Sequence, residues 1–197
     1  MALHYLLIMN ITSHFIGLEV DGASFKQLFE QLLQYRDQSA LHDVIEPQAY
    51  ISLHITLYYL PSDLGASRRT EILQHCRQLS THAHSAIRSS LHLGYFGLTG
   101  NEKVCFIAPN EDKMFHVLHR SLEERFRDDS IFENRLSFTP HITLFRIKDS
   151  NVFQTHKNEL EEVIKTYIDK IFGTSLGDVR LYAVDSSMHP EMQVPVG

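Results

Sequence analysis

The residues most suited to chemistry in this sequence occur in a repeated tetrapeptide, His-Ile-Thr-Leu. It begins at His54 and again at His141, 87 positions later. Histidine exchanges a proton near neutral pH, so two facing imidazoles can take a proton from water or a hydroxyl and give one to a departing oxygen. The Thr56 and Thr143 hydroxyls can donate hydrogen bonds to the non-bridging oxygens of a phosphate. The combination predicts phosphoester cleavage.

Strand alternation predicts which neighbours share a surface with these residues. In a regular strand, His54, Thr56 and Tyr58 point to one face, and in the second copy His141, Thr143 and Phe145 do the same. We expect Tyr58 and Phe145 to offer ring faces for nucleobase stacking. Arg146 falls on the opposite face, so it can reach a phosphate only if the strand ends or bulges there.

Packing alone explains one such motif but not two. A single His-x-Thr on a strand is ordinary, because Thr favours strands and a strand His is usually a partly buried, hydrogen-bonded residue. The same four residues at matching places in two similar halves are difficult to explain by packing. A functional cleft between the halves is therefore the favoured interpretation.

The elements around the two motifs repeat as well. Apolar spacing predicts amphipathic helices before and after each motif, and strand-like runs bracket them, giving a β-α-β-α-β order twice. A capping box at Ser24 and Gln27 is predicted to begin the first helix, whereas periodicity does not decide whether Leu3 to Ile11 forms an extra strand. The predicted helices run from about Ser24 to Tyr35, Ser67 to Ala83, Asn110 to Arg127 and Asp149 to Phe172, and the bracketing strands are His14 to Val20, Ser90 to Leu98, Lys103 to Ala108 and Val179 to Val184.

Composition limits the possible classes of protein. The 197 residues are 43% hydrophobic, which predicts one globular domain, residues 1–197, with halves at roughly 14–98 and 103–186. The net charge of −6 argues against a surface for long duplex nucleic acid. Neither a secretory signal nor an apolar stretch of membrane-spanning length is recognised, and Cys76 and Cys105 are predicted to be buried and reduced, so we expect a cytoplasmic protein.

These motifs carry a family resemblance. The segments His54-Ile55-Thr56 and Phe138-Thr139-Pro140-His141-Ile142-Thr143-Leu144-Phe145-Arg146 resemble the two-histidine (2H) phosphoesterase superfamily, specifically its LigT-like branch of RNA 2′,3′-cyclic phosphodiesterases and 2′-5′ RNA ligases. The resemblance covers essentially the whole chain. It implies an α+β fold whose duplicated halves form two lobes with antiparallel sheets around a central cleft.

The resemblance also implies an activity without metal or cofactor. It is hydrolysis of 2′,3′-cyclic phosphate at RNA 3′ ends or on small cyclic nucleotides, with His54 as proton donor, His141 as acceptor, and Thr56, Thr143 and Arg146 on the phosphate. From the residues alone, the acid and base assignment stays open. So do two alternatives, a 2′-5′ phosphodiesterase or reversible 2′-5′ ligase and a non-catalytic RNA-end-binding module. We expect a monomer that does not bind membranes.

Other patterns differ from the family or point elsewhere. Tyr59-Leu60-Pro61 stands where relatives commonly have Phe-Leu-Gly, and the tail Met188 to Val196 lacks a tyrosine often found there. His116, His119 and Glu123 lie at helical spacing and could be drawn as a metal-binding face, but the spacing lacks a known ligand signature. We interpret them as a solvated helix surface.

Overall fold

The computed structural model of the protein describes residues 11–83, 85–129, 137–185 and 194–195. The undecided segment Leu3 to Ile11 lies outside these residues except for Ile11, which begins the first strand. Most of the tail from Met188 lies outside them as well.

The helices in the described residues follow the predicted apolar stripes. In the second-half helix before the motif, Phe115, Leu118 and Leu122 recur at helical spacing and are buried. The helix after that motif is capped by Asp149, whose carboxylate accepts hydrogen bonds from the backbone N–H groups of Asn151 and Val152. The four helices are α1 (Lys26–Gln38), α2 (Ala66–Ala83), α3 (Lys113–Arg125) and α4 (Ser150–Ile168).

Two predicted helix starts are wrong because nearby polar groups bind other partners. Gly22–Phe25 forms a 3₁₀ turn before α1, with the Asp21 carboxylate capping the Ala23 N–H at 3.0 Å, so the predicted box at Ser24 and Gln27 does not cap α1. Asn110 lies outside α3, and its amide contacts Ser90 and His92 instead. Each helix therefore begins two or three residues later than predicted.

The described strands form an antiparallel sheet. Its order is β4-β8-β1-β3-β7-β6-β5, with β2 pairing β7 and β9 pairing β8. The predicted α+β class with antiparallel strands is thus confirmed. The strands are β1 (Ile11–Val20), β2 (Ile45–Pro47), β3 (His54–Leu60), β4 (Ala86–Ile87), β5 (Leu91–Leu98), β6 (Asn101–Pro109), β7 (Ile142–Ile147), β8 (Thr174–Asp185) and β9 (Val194–Pro195).

The two motif strands meet where the two sides of the sheet join. β3 and β7 pair only through Ile55 and Ile142, both fully buried. On one side lie β3, β1, β8 and β4, and on the other β7, β6 and β5. Because β8 pairs with β1 and β5 with β6, each side takes a strand from the other half of the sequence. The motifs therefore lie at the junction of two interleaved lobes.

Helices cover the face of the sheet opposite the motif histidines. α2 packs on β8, α3 on β3, and α4 on β5 and β6. The strand residues between the motif His and Thr, Ile55 and Ile142, belong to this core. Cys76 and Cys105 are buried in it as free thiols, as predicted. Burial of one face leaves the other free to form a cleft.

Candidate active site

Each motif strand contains a β-bulge at the same position of the repeat. The adjacent residues Ile16 and Gly17 of β1 pair with Tyr58 and Thr56 of β3. Leu57, which lies between Thr56 and Tyr58, is therefore an extra residue in β3. Opposite β7, Phe106 pairs with Thr143 and Cys105 with Phe145, which makes Leu144 the extra residue. The two extra residues are equivalent leucines of the tetrapeptide, so the duplication includes a backbone irregularity.

The bulges overturn part of the predicted alternation. Tyr58 and Phe145 are 1% and 0% exposed and lie in the core, so the prediction that they stack nucleobases in the cleft is wrong. Tyr58 instead donates a hydrogen bond to the Phe126 carbonyl at 3.1 Å. Since an extra residue reverses the facing of every later one, Tyr59 and Arg146 turn to the side of the histidines.

The two histidines are oriented in the same way. The Nδ1 of His54 lies 3.0 Å from the Ser52 carbonyl oxygen, and the Nδ1 of His141 lies 2.7 Å from the Thr139 carbonyl oxygen. A carbonyl can only accept, so each Nδ1 carries the proton and each neutral ring keeps its Nε2 lone pair for another partner. Both rings are half-buried. Each Nε2 can therefore accept a proton and, once protonated, donate it.

Strand pairing brings the four motif side chains together. Because Ile55 faces Ile142 in an antiparallel pair, position 54 lies opposite 143 and position 56 lies opposite 141 on the other face of the sheet. The two histidines are then diagonal cross-strand neighbours, a relation in which Cα atoms lie roughly 7–8 Å apart. This register therefore predicts that each His has the other motif's Thr beside it, and Thr56, His141 and Thr143 line one cavity.

Aromatic rings support both imidazoles. The His54 ring stacks on Phe15 and Tyr182 with centroid distances of 4.9 and 5.3 Å. His141 contacts Phe96 and Phe106 at 4.7 and 5.2 Å. Packing on two sides restricts each ring to a narrow set of orientations.

A glycine makes room for the first of these aromatic clusters. A Cβ atom at Gly17 would lie 3.0 Å from the Tyr182 ring and 3.1 Å from the Phe15 ring. These are closer than ordinary van der Waals contacts, so a larger residue would displace rings that support His54. Gly17 is also the residue paired with Thr56. The small size of Gly17 therefore allows the Phe15 and Tyr182 rings to pack against His54.

Burial and positive charge both act on the histidines. Burial lowers the pKa of His54 to about 4 against the opposing effect of its hydrogen bond to the Ser52 carbonyl, and the charges of His141 and Arg146 lower it further. Burial also lowers the pKa of His141, while its bond to Thr139 opposes that shift. The charge of the Arg146 guanidinium therefore acts on the His54 imidazole.

A cavity of about 610 Å³ opens beside His141. Ligand-binding cavities commonly measure about 300–1,000 Å³, and the volume of this one lies in that range. A second cavity of about 410 Å³ is lined by residues that include Ser52, Leu53 and Tyr182, and His54 is among the lining residues of neither cavity. The polar and aromatic residues lining the first include Thr56, Tyr59, Phe96, His119, Phe138, His141, Thr143 and Arg146.

Sequence reasoning missed four of these cavity residues, Tyr59, Phe96, His119 and Phe138. Tyr59 was missed because regular alternation assigns it to the face opposite the motif histidines, and the Leu57 bulge turns it to their face. His119 was interpreted as part of a solvated surface, yet it lines the cavity. The weak signal for Phe138 was its place just before the second motif.

The alternative metal-binding face is absent from the described structure. His119 directs Nδ1 to the Leu57 carbonyl, and His116 pairs with Asp112 at 3.1 Å. Within the described ranges, no group of three or more His, Cys, Asp or Glu side chains is arranged to hold a metal ion.

Comparison with solved structures identifies the fold. The crystal structure of Escherichia coli LigT complexed with 3′-AMP matches with a TM-score of 0.55 at 16% identity, covering 95% of this chain and 96% of that one. The same protein complexed with phosphate matches with a TM-score of 0.52 at 16% identity and the same coverage. TT0787 of Thermus thermophilus gives 0.50 at 20% identity, covering 70% of this chain and 75% of that one. Curated protein sequences contain no significant match.

Fold and motifs together define a 2H phosphoesterase of the LigT-like type, which confirms the resemblance drawn from the two His-x-Thr motifs. A family model described as the AKAP7 2′5′ RNA ligase-like domain matches residues 12–189, and the chain belongs to this family. Membership supports a phosphoesterase or 2′-5′ ligase-like activity. Separately, none of the helices in the described part of the chain is long and apolar enough to cross a membrane.

Proposed function

We propose that this protein hydrolyses the 2′,3′-cyclic phosphate at RNA 3′ ends or on small nucleotides to a 2′-phosphate monoester. The observation that carries the proposal is the pair of imidazoles on paired strands, each donating its Nδ1 proton to a carbonyl and each beside the other motif's Thr in the strand register. Such a pair supplies the two proton transfers that the reaction needs.

The proposed reaction is a single displacement at phosphorus. Water attacks as one imidazole Nε2 takes its proton, and the bond between phosphorus and the ribose O3′ breaks. The other imidazole, entering as imidazolium, donates a proton to O3′. The products are a 2′-phosphate and a free 3′-hydroxyl. The net proton count is unchanged, since the proton gained by one His balances the proton lost by the other.

Thr56, Thr143 and Arg146 are proposed to bind the non-bridging phosphate oxygens. All three line the larger cavity with His141. Hydroxyl and guanidinium donors fixed in advance stabilise the charge that develops on phosphorus oxygens without reorganising solvent. The proposed chemistry requires neither a metal ion nor a cofactor, so we expect activity to survive EDTA.

The electrostatics favour His54 as the base, the opposite of the roles implied by the family resemblance. Burial lowers the pKa of both histidines, and the positive charge of Arg146 further lowers that of His54. His54 is therefore the ring more readily kept neutral, as a general base must be. His141 then serves as the acid that protonates O3′.

The proposed partners are short RNA ends or nucleotides. Escherichia coli LigT, which shares the fold, has been crystallised with 3′-AMP and with phosphate, and these ligands contain the groups that a cyclic phosphodiester yields. The net charge of −6 further supports a short substrate over a long duplex.

The second candidate is cleavage or reversible formation of 2′-5′ phosphodiester bonds at the same site. The observation favouring it is the 410 Å³ cavity on the Ser52 side of His54, which leaves room for a second nucleoside. The family name also points to this chemistry.

Product analysis separates these candidates. The protein is incubated with a nucleoside 2′,3′-cyclic monophosphate, a short RNA ending in that group, and a 2′-5′ dinucleotide, each with and without EDTA. The primary proposal predicts a 2′-phosphate from the first two substrates at an EDTA-independent rate. Turnover of the dinucleotide alone supports the second candidate, and binding without any turnover supports a non-catalytic module.

A further inference from the structure

We propose that His119 is a specificity residue of the cleft, whose Nε2 accepts a hydrogen bond from an N–H group of the substrate nucleobase. The inference rests on the proposed function, because it concerns which nucleotides that site prefers. His119 lies on α3, outside both motifs, yet it lines the larger cavity together with Thr56 and His141.

The bulge in β3 fixes the tautomer of His119. The His119 Nδ1 lies 2.7 Å from the carbonyl oxygen of Leu57, the extra residue of that bulge. A carbonyl only accepts, so Nδ1 carries the proton and the neutral ring has an acceptor at Nε2. Among the residues that the structure describes, no hydrogen-bond partner of this Nε2 is found.

Packing then fixes the ring plane. His119 stacks face to face on Phe138 with a centroid distance of 4.2 Å and an interplanar angle of 2°. Tyr58 contacts it from the core side at 6.1 Å. A ring held by one hydrogen bond and two aromatic neighbours keeps its remaining nitrogen in a constant place, as recognition of a single ligand atom requires.

The chemistry of the ligand follows from this acceptor. A neutral imidazole nitrogen with the proton on the far side bonds N–H or O–H donors and rejects groups that offer only lone pairs. The same cavity contains Tyr59 and Phe138, aromatic rings suited to contact a base. Uracil offers a ring N–H and adenine an exocyclic N–H₂ group, so methylating these nitrogens removes the donor while keeping the base.

The experiment measures discrimination against methylated bases. Uridine and N3-methyluridine 2′,3′-cyclic phosphates form one pair, and adenosine and N6,N6-dimethyladenosine 2′,3′-cyclic phosphates form the other. For wild type, methylation lowers kcat/KM about fivefold or more in at least one pair, the loss expected for one neutral hydrogen bond. His119→Asn keeps an amide donor near Nδ1 for Leu57 but lacks Nε2, so it loses the discrimination.

Two further variants separate recognition from packing. His119→Gln places an amide oxygen near the position of Nε2 and restores part of the discrimination. His116→Asn, on the same helix and also in contact with Phe138, retains the wild-type ratio. If His119→Asn lowers activity on the methylated and unmethylated substrates equally, or if wild type shows no discrimination in either pair, the proposal is overturned.

Binding keeps this test independent of turnover. The same comparison is made by calorimetry with uridine and N3-methyluridine 3′-monophosphates and the corresponding adenosine pair. Wild type that hydrolyses no cyclic phosphate contradicts the proposed function. The role of His119 is then supported if His119→Asn removes the difference in Kd within a pair, and overturned if that difference persists.

Discussion

Tyr58 and Tyr59 are neighbours of the same residue type with opposite predicted roles. The Leu57 bulge places Tyr58 in the core, 1% exposed, and turns Tyr59 into the cavity. Tyr58→Phe removes the hydrogen bond from Tyr58 to the Phe126 carbonyl, which still accepts one from the Asp129 N–H, and the loss of one such bond costs about 0.5–1.5 kcal/mol. Tyr58→Ala also empties a ring-sized space, a change that costs about 3–5 kcal/mol in other cores.

Tyr59→Ala is expected to act on catalysis instead. Loss of one base-stacking ring costs about 1–3 kcal/mol of binding, which lowers kcat/KM by about 5- to 150-fold. Its effect on the free energy of unfolding should stay below about 1 kcal/mol, because Tyr59 is only half-buried.

The assay pairs urea unfolding with steady-state kinetics on a nucleoside 2′,3′-cyclic phosphate. We expect Tyr58→Phe to lose stability at nearly unchanged kcat/KM, and Tyr59→Ala to show the reverse. If Tyr58→Phe is as stable as wild type and loses activity, while Tyr59→Ala is fully active, then the bulge does not set the facing of these residues and the reasoning is refuted.

Three further predictions concern charge and protons. Arg146→Gln is expected to lower kcat/KM by about 10- to 150-fold, because one charge-assisted hydrogen bond contributes about 1.5–3 kcal/mol. Lys148→Gln removes the same charge outside the cavity and is expected to have little effect in the same kinetic assay. The free energy of unfolding is expected to fall as pH drops from about 6.5 towards 4. The reason is that the pKa values of His14, His54 and His141 are lowered in the folded state, so the unfolded chain binds more protons over that range. A free energy of unfolding that does not change over that range, measured by urea unfolding at each pH, contradicts this prediction. A p-nitrophenyl phosphodiester, whose leaving group needs no proton, restores turnover to His141→Ala more than to His54→Ala, and equal or opposite rescue reverses the acid and base assignment.

The two His and two Thr of the site could be predicted because the tetrapeptide that contains them occurs twice in the sequence. His54 and His141 could be paired without knowing the fold, since a repeat of the tetrapeptide and of its flanking helices implies a shared axis. The strand alternation on both sides of the buried Ile55 then indicated that the Thr hydroxyls share their face.

The rest of the site depends on contacts that sequence periodicity does not record. Leu57 and Leu144 fit a regular strand, and nothing in their type marks an extra residue; only the pairing with β1 and β6 does. Regular alternation without those bulges predicts Tyr58 and Phe145 in the cleft and Arg146 on the opposite face, and the bulges reverse all three. His119 reaches the cavity through packing of α3 on β3, a contact between distant parts of the chain.

The proposed function requires above all that two imidazoles act on one phosphate. Turnover of a nucleoside 2′,3′-cyclic phosphate is measured for His54→Ala, His141→Ala and the double variant, with folding checked by circular dichroism. We predict that each single variant loses at least about 10²-fold and that the double variant loses far less than the product of the two, as expected for groups that act as a unit. Near wild-type turnover in either single variant, or losses that multiply fully, would contradict this prediction.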